Sequence, residues 1–120
     1  MKTILIVDDD NSLRMLMCVT LEGKKFRVVQ AENGMEAIIS SQMERPDLII
    51  LDLMMPELSG LEALKTMKEK ETTMYIPVII LTAKHKPEDK EKALEMGANH
   101  FLYKPFSPQE LLDLVVQFLK

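Results

Sequence analysis

With one cysteine, Cys18, the chain cannot form an internal disulfide. At 120 residues it does not need one, because a domain of that size buries about two thirds of the surface its unfolded form exposes. Basic residues are in short supply: 15 Lys and Arg face 19 Asp and Glu, for a net charge of −4. No basic cluster with interleaved aromatics is present to track a phosphate backbone, so direct nucleic-acid binding by this chain is not expected. Long apolar runs are missing too. The start, "MKTILIVDDD", reaches its acids too early for a signal peptide or a membrane span, and a cytoplasmic, reducing setting away from the membrane is the expectation. The two histidines, His85 and His100, have no second His, Cys or acid at ligand spacing, which leaves them structural roles. No linker, repeat or low-complexity stretch interrupts the chain, so one domain over residues 1–120 is expected.

What the sequence does have is alternation. Five runs rich in β-branched and aliphatic residues, at 3–8, 26–31, 47–53, 78–82 and 100–104, are each followed by a stretch of helical periodicity. The first helix has Asp10, Asn11 or Ser12 as its N-cap and Gly23 as a left-handed stop. Its spacing turns Leu13, Leu16, Met17 and Leu21 inward and Met15, Cys18 and Val19 outward. The later helices are expected over 35–44, 60–71, 88–96 and 108–119. All four glycines and all six prolines, Pro56 among them, fall in or beside the connections. Strict alternation with continuously apolar strands implies an α/β fold: a parallel sheet with helices on both faces. The ten methionines are expected mostly in the core, apart from Met54 and Met55.

In such sheets the ligand site lies beyond the carboxyl ends of the strands, so the polar residues that close the apolar runs are its candidates. They are Asp8 and Asp9 after the first run, Asp52 in the third, Thr82 in the fourth and Lys104 in the fifth; the second ends in Ala31 and offers nothing comparable. Asp52 stands out, because a carboxylate buried in "DLIILDLMMP" needs a proton or a cation. Three carboxylates gathered within about 5 Å repel by roughly 3 kcal/mol per pair at an effective dielectric of about 20, and an all-oxygen set suits Mg²⁺, with Mn²⁺ as a substitute, better than zinc. With a hard cation and Lys104 to neutralise charge, and Thr82 to donate a hydrogen bond, Asp52 is placed to attack a phosphoryl group.

"ILIVDDD", "LIILDLMMPELSG", "VIILTA" and "FLYKPF", in this order and spacing, resemble a bacterial response-regulator receiver domain over the whole chain. The resemblance implies a five-stranded, doubly wound, flavodoxin-like sheet of order 2-1-3-4-5 with five helices. It implies Asp52 as phosphoacceptor, Asp9, Asp52 and the carbonyl of Met54 as Mg²⁺ ligands, and Asp8 supporting the metal through water. Thr82 and Lys104 would engage the phosphoryl group, Phe101 would change rotamer, and the Lys104–Pro105 bond would be cis. Met54 and Lys84, beside the path of an attacking water, offer no carboxylate or amide to orient it, so slow hydrolysis is implied. The expected partners are a histidine kinase or histidine phosphotransfer protein and a downstream target or output domain. The chain is expected to be a monomer when unphosphorylated, because Asn99 and His100, then Val115, Val116 and Gln117, lack the paired acids and basic residues of the dimerising regulators. As the resemblance implies, it would promote its own phosphorylation and dephosphorylation and is not expected to be a turnover enzyme.

Three rivals fit less well. A Mg²⁺-dependent phosphatase or phosphotransferase of the haloacid-dehalogenase type carries a second Asp two residues past the nucleophile, where this chain has Met54. A flavin-binding flavodoxin must cradle a phosphate in its first loop, which "DDDNS" would repel, and no G-x-x-x-x-G-K-[ST] loop occurs. A phosphorylation-independent pseudo-receiver would not need Asp8, Asp9, Asp52, Thr82 and Lys104 all in place.

Overall fold

The structure, a computed structural model, describes residues 1–55, 59–82 and 87–119; Pro56, Lys84 and His85 lie outside the described residues. Five strands, β1 (Thr3–Val7), β2 (Arg27–Ala31), β3 (Leu48–Asp52), β4 (Val78–Thr82) and β5 (His100–Tyr103), alternate with five helices. The helices are α1 (Asn11–Glu22), α2 (Gly34–Glu44), α3 (Gly60–Glu69), α4 (Pro87–Glu95) and α5 (Pro108–Phe118). All strand pairings are parallel and the order is β2-β1-β3-β4-β5. This is the flavodoxin-like arrangement that the resemblance implied.

Every residue of β1, β3 and β4 is buried, which is why these runs are continuously apolar. Successive side chains point to opposite faces. Leu5, Val7, Ile49, Leu51 and Ile80 pack with Ala37 of α2, Leu64 and Met67 of α3 and Ala93 of α4. Ile4, Ile6, Ile50, Ile79 and Leu81 pack with Met17 and Leu21 of α1 and Leu111 and Val115 of α5. β2 and β4 end where their apolar runs suggest, whereas β1, β3 and β5 end one residue earlier, which leaves Asp8 and Lys104 as the first residues beyond β1 and β5.

Local chemistry sets the helix starts. Asp10 caps α1 by accepting from the amides of Ser12 and Leu13, and Asn33, Ser59 and Ser107 do the same for α2, α3 and α5. Two expectations for α1 fail. Gly23 is right-handed (φ −61°), and the left-handed residue of that turn is Lys25 (φ 66°). The inward face carries Arg14, Met17, Cys18 and Leu21, whereas Leu16 is 46% exposed. The α1 segment is apolar at so many positions that its phase could not be fixed from spacing alone. The methionines also depart from expectation: Met1, Met15, Met35, Met43, Met54 and Met74 are exposed, and only Met17, Met55 and Met67 are buried among the described residues. Among the described residues no helix is long and apolar enough to cross a membrane.

Candidate active site

The three acids of "DDDN" take three different jobs where β1 hands over to α1. The Asp8 amide continues the ladder to β2, donating to the Ala31 carbonyl at 3.2 Å, and its fully buried carboxylate accepts from the Asp10 amide at 2.9 Å. Asp9 is exposed and Asp10 is the cap already described. The adjacent strand β3 ends on Asp52, 2% exposed, whose Oδ1 accepts from the Met54 amide at 3.0 Å. Carboxylate oxygens of Asp8, Asp9 and Asp52 all lie within 4.8 Å of one another.

Lys104 closes the group from the far side. Its amide donates to the Thr82 carbonyl at 2.9 Å, which fixes the chain as it leaves β5, and the Lys104–Pro105 bond is cis. From there Nζ reaches Asp8 Oδ2 at 2.9 Å and Asp52 Oδ2 at 3.4 Å. Thr82 is buried at the end of β4, the strand between β3 and β5. Phe101 is half-buried on β5, with Lys90 Nζ 5.5 Å from its ring centroid. His100 is exposed and lies against the Phe118 ring, away from these acids, in the structural role expected of it.

Burial pushes the Asp52 carboxyl up to about 6; the Met54 amide draws it down, the Asp8 charge adds to the rise and Lys104 opposes it. Burial alone would depress the Lys104 ammonium, but its hydrogen bond to Asp8 and the charges of Asp52 and Asp8 outweigh this and raise its pKa. A folded-state value near 6 against 3.8 in the unfolded chain means that the fold binds the Asp52 proton more tightly. That contribution is complete below about pH 4 and is lost as pH rises through 6. We expect Asp52→Asn to be more stable than the parent by about 1–2 kcal/mol at pH 8 in EDTA, since an amide still accepts from Met54 without a buried charge, and the gap to close near pH 4. Thermal melts at both pH values check this; equal melting temperatures at pH 8 would show that the Asp52 charge is not under stress.

The donor set fits a hard divalent cation. It is all oxygen, its negative charge is only partly met by one ammonium, and one of its members, Asp9, opens to solvent. The sequence-based candidates Asp8, Asp9, Asp52 and Lys104 therefore meet in one place, with Thr82 on the neighbouring strand end and the Met54 amide, rather than its carbonyl, in contact with Asp52.

Three contributors were missed. Arg14 sends Nη1 to the Asp8 carbonyl at 2.6 Å and Nε to Gln30 Oε1 at 2.9 Å, so β2, which ends in Ala31 as expected, reaches the site through Gln30 and Arg14. Gly60, at the start of α3, lies against the Asp52–Leu53 backbone so closely that a Cβ there would come within 2.6 Å of Leu53 Cα. A charged residue three and four positions before the buried Met17 and Cys18 is the signal that would have found Arg14.

Over residues 4–116 the chain matches the family model for the response regulator receiver domain. The phosphate regulon transcriptional regulatory protein PhoB of Pseudomonas aeruginosa is 44% identical over 111 residues, which cover 92% of this chain and 48% of that protein. The chain thus spans about half the length of the curated relatives it matches. Among solved structures, the chemotaxis protein CheY4 of Vibrio cholerae is similar with a TM-score of 0.94 and 34% identity, covering 98% of each chain. The receiver domain of the sensor histidine kinase PA1611 from Pseudomonas aeruginosa, with a magnesium ion coordinated in its active site cleft, is similar with a TM-score of 0.90 and 30% identity, over 98% of this chain and 97% of that one.

Proposed function

This chain belongs to the response regulator receiver domain family of two-component systems, and from that premise we propose that it takes a phosphoryl group onto Asp52 and relays the change to a partner. The observation that carries the proposal is the Asp52 carboxylate, buried at a strand end yet 3.4 Å from Lys104 and within 4.8 Å of Asp8 and Asp9. A structural ion pair would not need the two further acids beside it. A magnesium ion, for which manganese can substitute, would be held by Asp8, Asp9, Asp52 and the Met54 carbonyl, and would neutralise charge on the transferring phosphoryl group. The magnesium in the PA1611 cleft supports this assignment.

In the transfer, a carboxylate oxygen of Asp52 attacks phosphorus, the P–N bond to the donor histidine breaks, and its electron pair stays on the imidazole nitrogen. Lys104, already between Asp8 and Asp52, meets the added negative charge. Thr82 turns its hydroxyl toward a phosphoryl oxygen, and the rearrangement reaches the exposed face through Phe101 on β5. The chain promotes its own phosphorylation and dephosphorylation and is not a turnover enzyme. Hydrolysis is slow, because Met54 presents a thioether where a carboxylate or amide would orient water.

The phosphoryl donors are a histidine kinase or a histidine phosphotransfer protein in the cytoplasm, and the readout is a downstream target or an output domain. The transcriptional-regulator relatives, twice the length of this chain, support an output domain. The receiver spans residues 1–120, binds no nucleic acid itself and is monomeric before phosphorylation.

Acetyl phosphate with Mg²⁺ tests the core of this reading. The parent should gain one phosphoryl mass, mapped to the peptide that holds Asp52, and lose that gain in EDTA. Asp52→Asn should gain none. A phosphoryl group on Asp52→Asn at another residue, or none on the parent, overturns the assignment.

A further inference from the structure

The inward face of α1 has one position that packing does not explain. Arg14 stands in line with Met17, Cys18 and Leu21 and is 8% exposed. A guanidinium so buried is expensive unless its donors are satisfied, and an apolar residue of the same length would cover the sheet without that cost. The donors are satisfied. Nη1 meets the Asp8 carbonyl at 2.6 Å, Nε meets Gln30 Oε1 at 2.9 Å on β2, Nη2 meets the Asn11 side chain, and Glu32 lies 3.9 Å away. One side chain thus joins β1, β2 and the first turn of α1.

The atom it grips matters. The Asp8 carbonyl and the Asp9 amide belong to one planar unit, so fixing that carbonyl fixes the plane from which Asp9 departs. The other two acids are held directly: Asp8 by the Asp10 amide and Lys104, Asp52 by the Met54 amide and Lys104. Among the described residues no hydrogen bond or ion pair holds the exposed Asp9 carboxylate, so its aim depends on its backbone alone. We infer that Arg14, braced by Gln30, is a positioning residue for Asp9 and through it sets the affinity of the site for divalent metal. This rests on the assignment of Asp8, Asp9 and Asp52 as the metal site.

A second possibility predicts the opposite sign. If the guanidinium acted only as a positive charge near three acids, removing it would tighten cation binding. Positioning predicts weaker binding, and losses on removing an outer support of a metal ligand run to roughly 10–100-fold.

Mg²⁺ affinity is measured by calorimetry, alongside melting in EDTA, for the parent, Arg14→Met, Arg14→Lys and Gln30→Ala. We expect Arg14→Met to bind Mg²⁺ about tenfold more weakly, Arg14→Lys to recover part of the loss through one hydrogen bond to the carbonyl, and Gln30→Ala to lose about threefold while keeping the charge. In labelling with acetyl phosphate the half-saturating Mg²⁺ concentration should rise in the same order, with the rate at saturating metal falling less. Unchanged or tighter Mg²⁺ binding by Arg14→Met overturns the inference. Should Arg14→Met melt below the assay temperature, Gln30→Ala decides, and a parent-like affinity there overturns it. A parent that binds no Mg²⁺ overturns the site assignment itself, while a parent that binds and labels with indifferent variants rejects only the role of Arg14.

Discussion

Lys104→Met is expected to lower the free energy of unfolding by about 3 kcal/mol at pH 8 in EDTA, and by much less at pH 5. Its ammonium is 2.9 Å from Asp8, which is fully buried, and 3.4 Å from Asp52, which nearly is. Removing one partner of a buried ion pair leaves an uncompensated charge, at about 3–5 kcal/mol; here the low end applies, because Asp52 can take up a proton. The signs agree for both partners. The raised pKa of Lys104 means its contribution is complete below the unfolded value of 10.5, so pH 8 lies inside the window. Asp52, already pushed up to about 6, moves higher once Lys104 is gone, so the variant recovers stability as pH falls through that range.

Two further arms make the result specific. Lys104→Met combined with Asp52→Asn should recover at least half of the loss, since one of the stranded charges is gone, and the double-mutant cycle measures the coupling directly. Millimolar Mg²⁺ should raise the melting temperature of Lys104→Met more than that of the parent, because the metal then supplies positive charge to the trio in place of the missing ammonium. Urea melts at pH 8 and pH 5 provide the comparison. An equal loss at both pH values would mean that Lys104 acts through packing of its stem, and the electrostatic account of the site would fail.

The strand–helix alternation was readable because β1, β3 and β4 are covered on both faces, which makes their runs apolar without gaps and their closing polar residues conspicuous. Asp8, Asp52 and Thr82 stood out for that reason, and Lys104 as the charge that closes the fifth apolar run. Arg14 did not, since it lies within a helix where Leu13, Met15, Leu16, Met17, Cys18 and Val19 blur the period, and a lone charge is assigned to solvent by default. Gln30 was hidden by β2, an edge strand with mixed burial, where one more polar residue carries no signal. The exposed methionines follow from the same limit: hydrophobicity marks Met35 and Met43 as core residues, but the outer face of α2 has nothing packed on it among the described elements.

Gly60 is the other position whose role only the fold makes visible, and Gly60→Ala is expected to destabilise the protein by about 2–3 kcal/mol. A methyl group there would collide with the Asp52 carbonyl oxygen and sit 2.6 Å from Leu53 Cα and 3.0 Å from the Asp52 carbonyl carbon. All three are backbone atoms, so no side chain can swing aside, and overpacking of this kind costs about 1–3 kcal/mol or more. The gain in helix propensity from Gly to Ala, about 1 kcal/mol in a helix interior, offsets only part of it. Relief requires the N-terminus of α3 to back away from β3, which would break the 3.3 Å hydrogen bond from the Gly60 amide to the Leu53 carbonyl. The Asp52–Leu53–Met54 turn would shift with it, and with it the amide that holds Asp52 Oδ1. Labelling of Asp52 by acetyl phosphate should therefore slow as well. Gly23→Ala is the matched control: Gly23 is right-handed at φ −61°, and a Cβ there meets nothing closer than the Val19 carbonyl oxygen at 3.4 Å. That substitution should be neutral or stabilise by up to about 1 kcal/mol, by restricting the unfolded chain. Urea melts of the two variants should thus shift in opposite directions; a Gly60→Ala protein as stable as the parent and labelled at the parent's rate would show that α3 does not brace the Asp52 strand end.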